Sequence, residues 1–233
     1  MKKIFAFCGS RQRNSFTRAI LEQISDGYCR EKADIEVQIM TPNDYVLNHS
    51  EDPAEPFFLG ADKNERDNLD DTRMLKRKLE QADLVIFASP TYYGAVTADM
   101  KLFIDRFCHL AHLFYFAKKP CQTLVTSDGT GHTQVSNYLK QFCDGLGLVR
   151  TCEIVQTSKQ KLDLKKLDSV VKAGISAMEN PDSLCPGVSM EAAFQSWKLN
   201  VLRQDQKCSE RAYWTKTGLI NYDRLADYFH SLG

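Results

Sequence analysis

A chain of 233 residues, 43% of them hydrophobic, suits one large domain or one domain with an appendage. Lys plus Arg and Asp plus Glu each total 30, so the formal charge is zero, which argues against non-specific nucleic-acid binding and against a strongly acidic electron carrier that docks by long-range steering. The 8 cysteines contain no C-x-x-C and fit neither a zinc site nor a secreted disulfide framework, which points to a reducing, cytoplasmic setting. The opening MKKIFAFCGS has too short an apolar region for a signal peptide, and no window approaches a membrane span.

In chain order, Lys3–Cys8 reads as a buried strand that Gly9 and Ser10 break. The polar loop Ser10-Arg11-Gln12-Arg13-Asn14-Ser15 leads into a helix beginning at Ser15 or Phe16, with Ala19, Ile20 and Ile24 on its apolar face. A helix N-terminus has unpaired N–H groups and favours negative charge. Ser10, Asn14, Ser15 and Thr17 add neutral donors, and Arg11 or Arg13 adds charged ones, so the loop suits a phosphomonoester. The competing reading is a plain strand-to-helix turn with Asn14 or Ser15 as N-cap.

Ile35–Met40 alternates as a strand. Residues 43–71 are polar and irregular, an exposed excursion of a length that is usually functional or disordered. A helix follows, capped by Asp71 or Thr72 and running to Gln81, and Leu84–Ala88 is a near-continuous apolar strand of the kind buried on both faces. Ser89-Pro90-Thr91-Tyr92-Tyr93-Gly94 closes it, and a helix from about Thr97 buries Met100, Phe103, Ile104 and Phe107, with apolar residues continuing through Phe116. Cys121–Ser127 is the fourth strand, ending in Asp128-Gly129-Thr130-Gly131-His132. A helix over Gln134–Leu146, burying Val135, Tyr138, Leu139 and Phe142, a strand over Leu148–Val155 and a helix over Asp163–Met178 complete a β/α alternation that implies a parallel sheet.

In such a sheet ligands bind beyond the strand C-termini, where the strand order switches. With the order 2-1-3-4-5, strands one, three and four are neighbours, and their three unusual loops meet. The first offers phosphate ligation. The second, Pro90, Thr91, Tyr92, Tyr93 and Gly94, offers flat aromatic surface. The third, Ser127, Asp128, Gly129 and Gly131, lets backbone approach a ligand. A phosphate at one end and a planar apolar ring at the other describe flavin mononucleotide (FMN).

The run Gly9-Ser10, Asn14-Ser15-x-Thr17 resembles the phosphate loop of the NADPH-dependent FMN reductase and iron–sulfur flavoprotein group, within the flavodoxin-like superfamily. Ala82-Asp83, Ser89-Pro90-x-Tyr92 and Met100-Lys101-x-Phe103-x-Asp105-Arg106 are similar to that group's second flavin loop and following helix, while Ser127–His132 matches more loosely. The resemblance covers roughly residues 1–155. It implies an α/β flavodoxin-like three-layer sandwich with a five-stranded parallel sheet, FMN as cofactor, NADPH or NADH as electron donor, and a homodimer or higher oligomer. It departs from the iron–sulfur members, which carry a compact cysteine cluster after strand two, whereas no cysteine lies between Cys29 and Cys108; no iron–sulfur cluster is expected. The spacing of Arg11 also differs from the common pattern, and Arg13 is the alternative phosphate ligand.

Other signals are weaker. His109 and His112 share a helix face but lack a third ligand, so no metal site is expected. Asp105 and Arg106 read as helix-surface or subunit ion pairs. The division expected is residues 1–180 as the FMN-binding domain and 181–233 as a helical C-terminal extension that packs on the core or a dimer partner. Its Trp197, Tyr213 and Trp214 are expected to cap an apolar surface across a homodimer and narrow acceptor access. Three functions fit: an FMN-dependent NAD(P)H oxidoreductase serving a quinone, flavin, azo, nitro or protein acceptor, a non-enzymatic FMN electron-transfer protein, or a flavin-free interaction module. No catalytic side chain is singled out, because the cofactor carries the chemistry.

Overall fold

A computed structural model describes residues 1–232. Five strands, β1 (Lys2–Cys8), β2 (Ile35–Met40), β3 (Leu84–Pro90), β4 (Pro120–Ser127) and β5 (Val149–Thr157), form one parallel sheet in the order β2-β1-β3-β4-β5. The pleat sorts β1 cleanly between two faces. Ile4, Ala6 and Cys8 join Ile86 and Leu124 on the face covered by α1 (Phe16–Glu31) and α7 (Leu164–Glu179). Phe5 and Phe7 join Phe87 and Val125 on the opposite face, under α4 (Thr72–Gln81), α5 (Ala98–Phe107) and α6 (His132–Gly145).

The helices follow their sequence periodicity. In α1, Ile20, Leu21 and Ile24 are fully buried, each contributing about 2 kcal/mol of hydrophobic stabilisation. Ala19 instead lies exposed, because it falls on the solvent side of the stripe that those three residues define. Tyr138 in α6 is half-buried at the edge of its stripe, whereas Val135, Leu139 and Phe142 are inside.

Three sequence expectations are corrected. The helix beginning at Ala98 does not run to Phe116. It gives way to a 3-10 helix over Cys108–Leu113, and Phe114 adopts a left-handed conformation with φ 47°. The turn redirects the chain into β4, and Phe116 N–H bonds to Leu146 O at 2.9 Å.

The excursion after β2 is neither unstructured nor free. It contains α2 (Glu55–Leu59) and α3 (Lys63–Arg66) and is pinned from below by Arg106. Arg106 is therefore no surface residue: its side chain is 3% exposed and donates to Asn48 O, Asp62, Asp70 and Thr72 at 2.6–2.9 Å. Asp105, one residue earlier, does face solvent and pairs with Lys101 in the next turn back.

The C-terminal helices α8 (Val188–Arg203), α9 (Ser209–Lys216) and α10 (Leu225–Ser231) extend the second apolar face. Trp214 and Phe194 are fully buried and stack at 5.4 Å, and Trp214 Nε1 donates to His112 O at 2.9 Å. Tyr213 stacks on Tyr115 at 5.7 Å. These rings cap the surplus apolar surface of Leu110–Phe116 within their own chain, so Trp214 has no face left to offer across a dimer.

Candidate functional site

Gly9 is the last residue of the first loop tied to the sheet, its N–H bonding to Ala88 O at 2.8 Å. Ser10 N–H turns back onto the Cys8 thiol, and from Arg11 to Thr17 no backbone N–H has a partner among the described residues; the next paired amide, Arg18 N–H, is capped at 3.3 Å by Ser15 Oγ. Ser15 is thus the N-cap of α1, and the loop presents a run of donors at the positive end of a 16-residue helix. Ser10, Ser15 and Thr17 are buried, while Arg11, Arg13, Asn14 and Phe16 are exposed.

The arginines divide. Arg11 is committed to Asp99, in the first turn of α5, with Nε at 2.8 and 2.9 Å from its two oxygens and Nη2 at 2.8 Å. Arg13 makes no ion pair among the described residues and is the loop's uncommitted cation.

Three contacts hold the loops together. Thr17 Oγ1 lies 2.6 Å from Thr126 Oγ1, joining α1 to the end of β4 in a buried hydrogen bond. Thr97 caps α5, accepting from Met100 N–H at 3.1 Å, while its own hydroxyl donates to Gly9 O at 2.5 Å. Gly131 and Gly94 are in direct backbone contact: a Cβ placed on Gly131 would sit 2.8 Å from Gly94 Cα and 3.1 Å from Thr91 Cγ2.

The second loop turns tightly. Tyr92 and Ala95 exchange backbone hydrogen bonds at 2.9 and 3.0 Å around Tyr93 (φ 51°) and Gly94 (φ 74°), a type I′ geometry. Glycine suits this backbone; tyrosine does not, so Tyr93 is held in a strained conformation with its ring fully in solvent. Thr91 N–H bonds to Thr126 O at 2.8 Å, but its buried Oγ1 has no partner.

In the third loop Ser127 is buried, and Asp128 and Gly129 are exposed. Ser127 Oγ lies 3.3 Å from His132 Nδ1, and Ser158 N–H bonds to Ser127 O at 2.9 Å. That second bond brings in the loop after β5, with Lys159 Nζ 3.9 Å from where a Gly129 Cβ would be.

All three sequence-derived loops therefore meet, and they bring in residues that sequence reasoning does not single out: Thr97, Asp99, Thr126, His132, Lys159 and Tyr45. Tyr45 packs on Phe7 at 5.6 Å with its hydroxyl buried and unpartnered. Burial, with the Asp99 charge adding to it, keeps that phenol protonated far above the usual range. Burial likewise pushes the Cys8 thiol up to about 11, so the sulfur beneath the first loop is inert. The Thr97-Ala-Asp99 start of α5 carries a legible N-cap signal; the pairing of Thr17 with Thr126, 109 residues apart, carries none.

The donor set fits FMN. The amides from Arg11 to Thr17 are unpaired at a helix N-terminus, the buried Thr91 Oγ1 of the second loop has no partner among the described residues, and the backbones of Gly94 and Gly131 approach more closely than side chains would allow. No group of three or more His, Cys, Asp or Glu suited to a metal occurs among the described residues.

The architecture and site define a flavin-binding α/β sandwich, and the comparisons specify it. The family of NADPH-dependent FMN reductases matches residues 2–159, more than half the chain, and the chain belongs to that family. An iron-sulfur flavoprotein of Archaeoglobus fulgidus is 38% identical over 86 residues, a match spanning 36% of this chain and 38% of the relative.

Among solved structures, RosB with bound 8-demethyl-8-formylriboflavin-5′-phosphate superimposes with a TM-score of 0.59 at 14% identity, covering 78% of this chain and 82% of that one. The NADH:FMN oxidoreductase EMOB in its apo form gives 0.54 at 20% identity over 82% and 94%. The NAD(P)H:quinone oxidoreductase of Methanothermobacter marburgensis gives 0.52 at 15% identity over 77% and 98%. At these identities the structural likenesses speak for the fold. No described helix is long and apolar enough to cross a membrane.

Proposed function

We propose that this chain binds FMN at the junction of the three loops and transfers electrons from NADPH or NADH to a quinone, flavin, azo, nitro or protein acceptor. The observation that carries the reading is the run of unpartnered N–H groups from Arg11 to Thr17, an anion cradle set where a flavodoxin-like sheet ends. Ser10, Asn14, Ser15 and Thr17 would hold the phosphate, with Arg13 supplying charge. Arg11 acts differently, since its pairing with Asp99 braces the loop against α5.

Thr91 to Gly94 and Ser127 to Gly131 would flank the ring system with backbone and tyrosine. The chemistry that FMN supplies when bound is two-electron uptake from a reduced pyridine nucleotide and delivery to an acceptor. The chain's contribution is orientation, and no side-chain acid or base is required. The A. fulgidus relative is an iron–sulfur flavoprotein, but residues 41–71, after β2, contain no cysteine here, so in this reading the flavin acts without an iron–sulfur cluster.

The test is an anaerobic titration of FMN-saturated protein with NADPH and with NADH, followed by flavin absorbance. Bleaching by either donor, and turnover on adding a quinone, is expected. A flavin that binds but is bleached by neither donor would leave an electron-transfer protein. No flavin uptake at all would leave an interaction module.

A further inference from the structure

The chain carries a second built site, away from the loops. A cleft of about 600 Å³, within the usual range for small-molecule sites, opens between α6, α8 and the 3-10 helix over Cys108–Leu113. Its middle begins near Asn137, five residues into α6 and therefore about 7 Å along the helix from the third loop.

At its edge stands His112. Its ring stacks on Trp197 at 3.5 Å and lies 5.3 Å from the tilted ring of Phe57, contacts that hold the imidazole in place. Its Nδ1 is 2.8 Å from Glu210 Oε1, and Glu210 Oε2 accepts from Gln204 Nε2 at 2.6 Å. Burial pushes the Glu210 carboxyl up, but the hydrogen bonds from His112 and Gln204 outweigh it and hold the group below its usual range. An ionised carboxylate only accepts, so Nδ1 carries a proton and Nε2 is the ring nitrogen left over. Among the described residues that nitrogen has no hydrogen-bond partner, and it is not one of the sealed polar atoms.

The rest of the lining states what would be recognised. Lys140 is already paired with Asp144, and Ser189 bridges the two, so the cleft offers no free charge on that wall. Asn137 and Gln141 lie one turn apart on α6 with no hydrogen-bond partner among the described residues, while Phe142, Ala193 and Trp197 supply apolar surface. An oriented imidazole nitrogen, two free amides and aromatic walls suit a neutral, flat, hydroxylated ring.

We infer that this cleft is an ancillary binding site for a neutral phenolic aromatic, whose hydroxyl hydrogen-bonds with His112 Nε2 and whose ring packs on Trp197 and Phe142. Glu210 is a positioning residue, holding Nδ1 and so the orientation of the ring that presents Nε2. The site is independent of FMN binding.

Calorimetric titration of the full chain with 1-naphthol, with and without added FMN, tests it. One site per chain is expected, with affinity unchanged by FMN. Naphthalene, which lacks the hydroxyl, should bind about tenfold more weakly, the worth of one hydrogen bond. His112→Ala should remove that preference for 1-naphthol, and Glu210→Gln should reduce it. Because His112→Ala also removes a stacked ring, Ala193→Trp serves as the second variant: it fills the cleft from α8 and leaves both residues of the dyad in the sequence, and it should abolish binding while leaving FMN affinity intact. Competition by FMN, equal affinity for naphthalene, or full binding in Ala193→Trp would overturn the proposal. So would binding that vanishes on self-association, since a second copy would then be the occupant.

Discussion

Two polar clusters lie on this molecule, and they differ in one respect. Around Arg106 the charge is met: Asn48 O, Asp62, Asp70 and Thr72 accept from its two Nη atoms, and Asp62 and Asp70 also cap Glu65 and Thr72 N–H groups at 2.9 and 3.0 Å. Around the first loop the donors outnumber the acceptors, and the amides from Arg11 to Thr17 have no partner among the described residues. A paired cluster is architecture, and in the proposed reading an unpaired one at a helix N-terminus receives an anion. Both read as charged or hydroxyl-rich segments in the sequence; only the pairing separates them.

The largest effect expected comes from breaking the satisfied cluster. Arg106→Ala strands two buried carboxylates and should cost about 3–5 kcal/mol in denaturant unfolding. FMN affinity of the folded fraction should be unchanged. If FMN binding fell while stability held, the roles assigned to the two clusters would be reversed.

His109, on the 3-10 helix and edge-on to Phe57 at 6.4 Å, sharpens the same contrast. Both its ring nitrogens are buried without partners, and burial, then the Lys76 charge, lowers its pKa to about 4 from 6.5. The unfolded chain therefore binds the extra proton between those values, so the contribution is whole above pH 6.5 and lost as pH falls towards 4. About 3 kcal/mol of stability should disappear over that interval, and His109→Phe should flatten this limb of the pH–stability curve. An unchanged curve in the variant would mean the acid sensitivity lies elsewhere.

Perturbing the receptor should do the opposite of perturbing Arg106. Ser15→Asp keeps a competent N-cap but places a negative charge in the cradle. Stability should stay within about 0.5 kcal/mol, while FMN binding weakens by about 2 kcal/mol, roughly thirtyfold. The smallest effect is reserved for Arg11→Ala. Its pair with Asp99 is mostly exposed and screened, so stability and FMN affinity should each change by less than about 1 kcal/mol. A large loss of FMN affinity there would make Arg11, rather than Arg13, the phosphate cation.

The legibility of this chain in its sequence follows from the range of the forces involved. Local patterns suffice for the sheet: the apolar run Leu84–Ala88 and the alternation of Ile35–Met40 are period-two signals that need no tertiary context. Ser15 is legible as one of two N-caps for the same reason. Arg106 is misjudged from sequence because its partners lie 34–58 residues away in a segment that looks like solvent-facing loop. The break at Cys108 leaves no glycine or proline to read; Phe114 takes a left-handed turn that its sequence does not advertise. Trp214 is visible as an aromatic in need of a partner, but its stacking on Phe194 across α8 and α9 depends on how two helices fold back onto one chain.

The central claim is that the unpaired donors of the first loop hold a phosphate. Its most direct test is the equilibrium affinity of the full chain for FMN set against riboflavin, which differ by that group alone. Charge-assisted hydrogen bonds to a dianion predict FMN tighter by at least about hundredfold, with Ser15→Asp erasing most of the difference. Equal affinities for the two flavins, or a preference that survives Ser15→Asp, would place the phosphate outside this loop and contradict the account.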